Sequence, residues 1–143
     1  MKQSYSTAYS TLCSRFQGNR RTVLTRYLTA RYSWSLAQAN RAIDEYAMFL
    51  YVASLHLGVH LIPTQEIDCV WEADILQSTA QYMHTCHALC GSMIHHADVA
   101  EMEKESTFAG VESAFAQTRS LFEQHFGKQA LSYNALPAAC GML

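Results

Sequence analysis

Apolar positions recur every three or four residues along most of this chain, the spacing of helices that bury one face. Tyr5, Tyr9, Leu12, Cys13 and Phe16 fall on one side of a helix predicted over residues 4–16, and Gly18-Asn19 breaks it. Val23, Leu24, Tyr27 and Leu28 mark a second helix over 20–32. Ser35-Leu-Ala-Gln38 reads as a capping box. It opens a third helix over 36–58, where Ala39, Ile43, Tyr46, Ala47, Leu50, Ala53 and Leu57 are spaced for burial and Gly58 is the stop. Thr64, after Pro63, is a good N-cap for a fourth helix, predicted to run unbroken to about Leu89 and to end at Gly91. Asp98-Val-Ala-Glu101 is a second capping box, opening a last helix over 99–126 that stops at Gly127. The remainder, 128–143, is small and apolar and is expected to lie over the bundle as an irregular strap.

The pattern predicts an all-α protein: a single compact bundle of about five helices with an irregular C-terminal tail, one domain over 1–143. Two prolines and six glycines in 143 residues, mostly between the periodic segments, agree with it. Half the residues are hydrophobic and 15% are charged, the composition of a chain able to close a core. The longest apolar run, Ala47–Leu57, carries Tyr51, Ser54 and His56 and is too short to span a bilayer. The start, Met1-Lys-Gln-Ser-Tyr5, lacks the apolar stretch of an export signal. The five cysteines form no Cys-x-x-Cys pair, and reduced thiols in a cytoplasmic protein are expected.

Charge is unevenly distributed. Residues 1–43 carry seven basic residues and no acid, while 44–143 carry all twelve acids and three basic residues. Either the basic first helices dock on an acidic remainder, or Arg20, Arg21 and Arg26 face a partner. A net charge of −2 and the lack of any recognisable nucleic-acid module argue against a nucleic-acid binder. A protein partner or a homodimer through Tyr5, Tyr9 and Phe16 is the remaining expectation.

Candidate chemistry concentrates between residues 68 and 96. On a wheel of about 100° per residue, Trp71, Ile75, Tyr82 and Leu89 fall within about 40° of one another. Asp68 and Glu72 line one edge of that stripe and Asp74 the other. Carboxylates beside a core need a partner, because desolvating a charge is costly. They have two readings: dipole complement with salt bridges to the early arginines, or metal ligation and acid/base work, with Asp68 and Glu72 as the catalytic candidates. His95-His96 follows in a turn and can add one or two imidazoles. Glu72, Asp74, His95 and His96 form a candidate set for iron, manganese or zinc. His56-x-x-x-His60 has the spacing of a two-histidine site, although His60 falls at or past the end of its helix. His84 and His87 point away from Trp71, towards solvent, and Cys86 and Cys90 towards the core.

Several of these residues stand in an order that resembles a bacterial family. Glu45-Tyr-Ala-Met-Phe49-Leu50, Leu61-Ile-Pro63, Ile67-Asp68-x-x-Trp71, Thr79-x-x-Tyr82, Cys86, Gly91, His95-His96, Phe108 and Thr118-x-x-x-Phe122-x-x-x-Phe126-Gly127 are similar to the helical domain of glycine-rich domain-containing proteins. The resemblance covers roughly residues 20–127. It implies a small helical domain, found alone or beside larger regions, with a Trp-His-x-His segment and a histidine doublet able to form a transition-metal site. This chain has Trp71-Glu72-Ala-Asp74 where the family pattern has those imidazoles, and Gln77-Ser78 looks like a local insertion. His95 and His96 carry over as residues; Glu72 and Asp74 carry over as positions. The expected function is thus an accessory or protein-interaction module with a vestigial or retuned His/carboxylate site. The alternative is a metal-dependent enzyme using Glu72 and Asp74 with His95 and His96.

Overall fold

The computed structural model describes residues 6–98 and 108–142. Among the described residues six helices run in the order α1 (Thr7–Arg15), α2 (Gly18–Tyr32), α3 (Leu36–Leu55), α4 (Gln65–Gln77), α5 (Thr79–Cys90) and α6 (Phe108–Phe126). Two short strands, β1 (His96–Asp98) and β2 (Cys140–Met142), pair antiparallel. The all-α bundle with a tail is as expected, and among the described residues no helix is long and apolar enough to cross a membrane.

The hydrophobic spacing of α3 explains its place at the centre. Nine of its residues are buried, among them Ile43, Tyr46, Phe49 and Leu50, and it packs on α1, α2, α4, α5 and α6. The Ser35 hydroxyl accepts from Gln38 N–H, the N-terminal half of the expected capping box. Thr64 likewise caps α4 by accepting from Ile67 N–H.

The long fourth helix is a correction. The chain leaves helical geometry at Ser78 (φ −162°, ψ 96°), whose hydroxyl accepts from Gln81 N–H and so starts α5 as a separate helix. A hydroxyl competing for backbone donors at the Gln77-Ser78 step ends one helix and caps the next. The wheel therefore holds only as far as Gln77. Tyr82 nevertheless reaches Trp71, because α5 folds back on α4: Trp71 Nε1–H donates to Tyr82 Oη at 2.9 Å. The first nine residues of the last predicted helix and most of its capping box lie outside the described residues.

The tail follows a defined path. Gln65 N–H donates to Leu136 O, Ala138 N–H to Pro63 O and Met142 N–H to Leu61 O. These bonds lay the strap over the start of α4 before it ends as β2, in the register His96↔Met142, Ala97↔Gly141, Asp98↔Cys140.

The arginines of the basic segment divide. Arg20 bonds the Asp74 carboxylate and the Asp74 carbonyl. Arg21 reaches Phe16 O, Asn40 and Asp44, the last at 2.6 Å, and Arg41 pairs loosely with Glu66 at 3.4 Å. Arg20 and Arg21 thus hold α2 against α3 and α4, whereas Arg26 is exposed. Asp74 is 2% exposed and also accepts from Tyr46 Oη at 2.7 Å. Removing one member of a buried pair leaves the other charge desolvated and unpaired. Asp74→Ala should lower stability by about 3–5 kcal/mol, and Tyr46→Phe, which removes one hydrogen bond, by about 1 kcal/mol. Urea titration of the two variants checks the order; equal losses would remove the special role of the ion pair.

Candidate metal centre at Asp68, His96 and Cys140

Three elements converge beside Trp71. Asp68 stands in the first turn of α4, where the unpaired N–H groups and the helix dipole favour a carboxylate. His96 opens β1. Its approach is set by Gly91, which caps α5 at φ 74° with its N–H on His87 O, and by Tyr82 Oη–H, which donates to Ile94 O. A left-handed cap of this kind is where glycine is favoured. The His96 ring then packs edge-on against Trp71, centroids 4.6 Å apart at 82°. Cys140 opens β2. Side chains two residues apart share a face of a strand, and directly paired residues share a face of the sheet. The register therefore puts Cys140 on the face that carries His96.

Asp68 Oδ1 is the hub. It lies 2.7 Å from His96 Nε2 and accepts the Cys140 thiol at 2.5 Å. The Asp68 and His96 side chains are 19% and 21% exposed, so solvent reaches the group from one side, while Cys140 is buried. The candidate ligand atoms of all three lie within 4.8 Å of one another. Burial, the hydrogen bond to Asp68 and the charges of Asp68, Glu72 and Asp98 push the Cys140 thiol far above its ordinary range. A thiol held protonated by a carboxylate is the reverse of a nucleophilic cysteine, which needs a cationic neighbour or a base. The arrangement is suited to gathering a cation, not to attacking a carbonyl.

Of the four residues expected as metal ligands, His96 alone joins this group. Asp74 faces the core and is held by Arg20 and Tyr46. His95 is exposed, and the alternation of an extended backbone turns it away from its neighbour. Glu72 is exposed but stands one turn from Asp68 on α4. Partial burial and the Asp68 charge raise its pKa, while His96 and Arg31 lower it. Of the two acids named as catalytic candidates, Asp68 is the hub and Glu72 flanks it. His84 and His87 are exposed, Cys86 is buried and Cys90 half-buried. Cys140 escaped sequence reasoning: it is 72 residues from Asp68, in an apolar tail, and its strand is three residues long. The one available signal was a soft ligand type within an otherwise inert segment.

Fold and site together define a compact helical protein carrying a mixed oxygen, nitrogen and sulfur cluster. No protein-family model, no curated protein and no solved structure matches the chain.

A separate surface cavity of about 430 Å³ opens between α3, the start of α4 and the tail, with Arg41, Glu45, Glu66, Gln129 and Asn134 in its wall. Burial, opposed by Arg41 and reinforced by Glu66 and Asp44, raises the Glu45 pKa from 4.5 to about 7. The folded state thus keeps a proton that the unfolded chain releases near 4.5, so it binds more protons across that window. Stability should fall as pH rises from about 4.5 to about 7 and stay lower above it. Glu45→Gln should flatten that part of the curve and be the more stable protein at alkaline pH, as thermal denaturation across the range would show. An unchanged slope would place the Glu45 carboxyl in water.

Proposed function

We propose that this protein is a small helical metal-binding module, an accessory that works through a protein partner, and that Asp68, His96 and Cys140 are its ligands. One observation carries the reading: three donor types from α4, β1 and β2 lie within 4.8 Å of one another. Ligands on one tetrahedral ion are separated by about 3.3–3.8 Å, given bonds of about 2.0–2.3 Å. The hydrogen-bonded distances of 2.5 and 2.7 Å need only modest side-chain rotation to open to that span. A thiolate, an imidazole and a carboxylate suit zinc or ferrous iron and are less suited to manganese.

On this reading the site expected from the resemblance is retuned. His96 is kept, the positions of Glu72 and Asp74 are not used as ligands, and Asp68 and Cys140 complete the set. Ligation by groups on α4, β1 and β2 fastens the C-terminal strap to the bundle. That strap presents Tyr133, 92% exposed, and Leu136 to solvent, a contact surface for a protein partner. The wall of the 430 Å³ cavity contains none of the three ligands, which favours an accessory role over catalysis at the cluster.

A second reading has its own observation. Three protein ligands leave a coordination position for water, as in catalytic zinc sites, and Glu72, one turn from Asp68, is placed as a general base for a metal-dependent hydrolase.

Purified protein should carry about one zinc or iron per chain by mass spectrometry, or take up one Zn²⁺ in calorimetry. Cys140→Ser and His96→Ala should each weaken binding by at least tenfold. Because the thiol must lose its proton to ligate, affinity should rise with pH and binding should release protons, measurable as a dependence of the heat on buffer. Wild-type affinity in the Cys140→Ser/His96→Ala double variant would overturn the ligand assignment. Glu72→Gln separates the two readings. Unaltered partner capture supports the accessory; a hydrolytic activity that disappears with metal retained supports the enzyme.

A further inference from the structure

At the opposite end of α3 from its Ser35 cap, a second pair of imidazoles meets. His56 caps the C-terminus of α3 and His125 stands in the last turn of α6. Their Nε2 atoms are 3.1 Å apart, and the rings cross at 61° with centroids 5.3 Å apart. The pair that the sequence suggested, His56 with His60, is not formed in this way. α3 ends at Leu55, so His60 does not stack one helical turn beyond His56, and the facing imidazole comes from a residue 69 positions away.

We propose that His56 and His125 form a second transition-metal site, a two-nitrogen chelate for a borderline divalent cation such as Cu²⁺ or Ni²⁺. Its support does not depend on the Asp68 cluster.

The distance is the first argument. Two nitrogens bound to one ion at about 2.0–2.1 Å are separated by about 2.9 Å at a right angle and about 3.3 Å at the tetrahedral angle. The observed 3.1 Å lies between these values, so a small ring rotation brings both nitrogens onto one ion without moving either helix. The protonation state is the second. Burial, and then the neighbouring His56, lower the pKa of His125, which leaves its ring neutral, the form that ligates. The surroundings are the third. Tyr51 approaches the His125 ring edge-on at 6.1 Å, and Tyr51 is held from its other side by Ser6 Oγ–H at 2.9 Å and by Tyr9. Aromatic rings border His125, and both histidines are only half-buried, which leaves the outer coordination positions to water. Nitrogen ligands with open equatorial positions suit Cu²⁺ and Ni²⁺, near the top of the affinity order for divalent ions.

The experiment uses tag-free full-length protein carrying Cys140→Ser and His96→Ala, so that the first cluster is removed. Titration with Ni²⁺ or Cu²⁺ should show one equivalent bound with a micromolar dissociation constant, and nitrogen hyperfine structure in the Cu²⁺ electron paramagnetic resonance spectrum should report two imidazoles. His125→Gln and His56→Gln keep a polar side chain at the contact and guard against unfolding, which circular dichroism checks. Either should weaken binding by tenfold or more, and the pair together should abolish that equivalent. The cation should also raise the Tm of the parent and not that of the glutamine pair. Absence of binding, or binding unchanged in the glutamine pair, would overturn the proposal and leave His56 and His125 as a hydrogen-bonded contact between helices.

Discussion

The hydrogen-bond chain from Trp71 through Tyr82 to Ile94 is the constraint on which the rest of the structure depends. Trp71 and Tyr82 are buried, and each carries a polar atom that needs a partner there. Trp71 Nε1–H donates to Tyr82 Oη, and Tyr82 Oη–H donates to the Ile94 carbonyl. One line of donors thereby joins α4 to α5 and α5 to the segment that precedes β1. Phe49 packs against the Trp71 ring on the α3 side and His96 against it on the β1 side, with centroids 5.2 and 4.6 Å away. The break at Ser78 makes this closure geometrically available, because a continuous helix would carry Tyr82 along the axis, away from Trp71. Burial, through desolvation, pushes the Tyr82 phenol far up and keeps it a donor.

Charge is handled by a different rule in each half of α4. Near its start, Asp68 faces partly outward and gathers an imidazole and a thiol. Towards its end, Asp74 faces inward and is neutralised by Arg20. The same helix thus carries one carboxylate buried in an ion pair and one that meets His96 and Cys140 at a partly solvated position. Location decides between them: a fully desolvated anion requires a cation at hand, whereas a partly solvated one at a helix N-terminus is already favoured by the dipole. The uneven distribution of charge along the chain has its first explanation in these internal contacts of Arg20 and Arg21.

The strap gives the candidate centre its sulfur. Its backbone is tied to Pro63, Gln65 and Leu61, all close to the first turn of α4 that holds Asp68. Three residues of strand pairing are little stabilisation in themselves, and burial of Cys140, Gly141 and Met142 supplies the remainder. The Asp68, His96 and Cys140 cluster and the docking of the tail are therefore one structural event, and any cation held there would act on both.

The helices were legible from the chain because their information is local. Periodic apolar residues, the Ser35 and Thr64 hydroxyls and the stops at Gly91 and Gly127 each act within a few residues of themselves, whereas α3 already ends at Leu55, short of the expected stop at Gly58. The interruption at Ser78 was missed because a serine inside an amphipathic run fits either a continuous helix or a new cap, and only the docking of α5 back on α4 selects the cap. Of the acids on α4 and the histidine doublet, Asp68 and His96 meet, but a wheel cannot say which carboxylate meets an arginine 54 residues earlier. Nor can it bring Cys140 to Asp68, or His125 to His56, across separations of 72 and 69 residues. The sequence by itself determined that this protein is an all-helical bundle and roughly where its ionisable groups lie. The tertiary structure alone decided which of them share a site, because ligation depends on ångström-scale proximity between segments that packing, and not chain order, brings together.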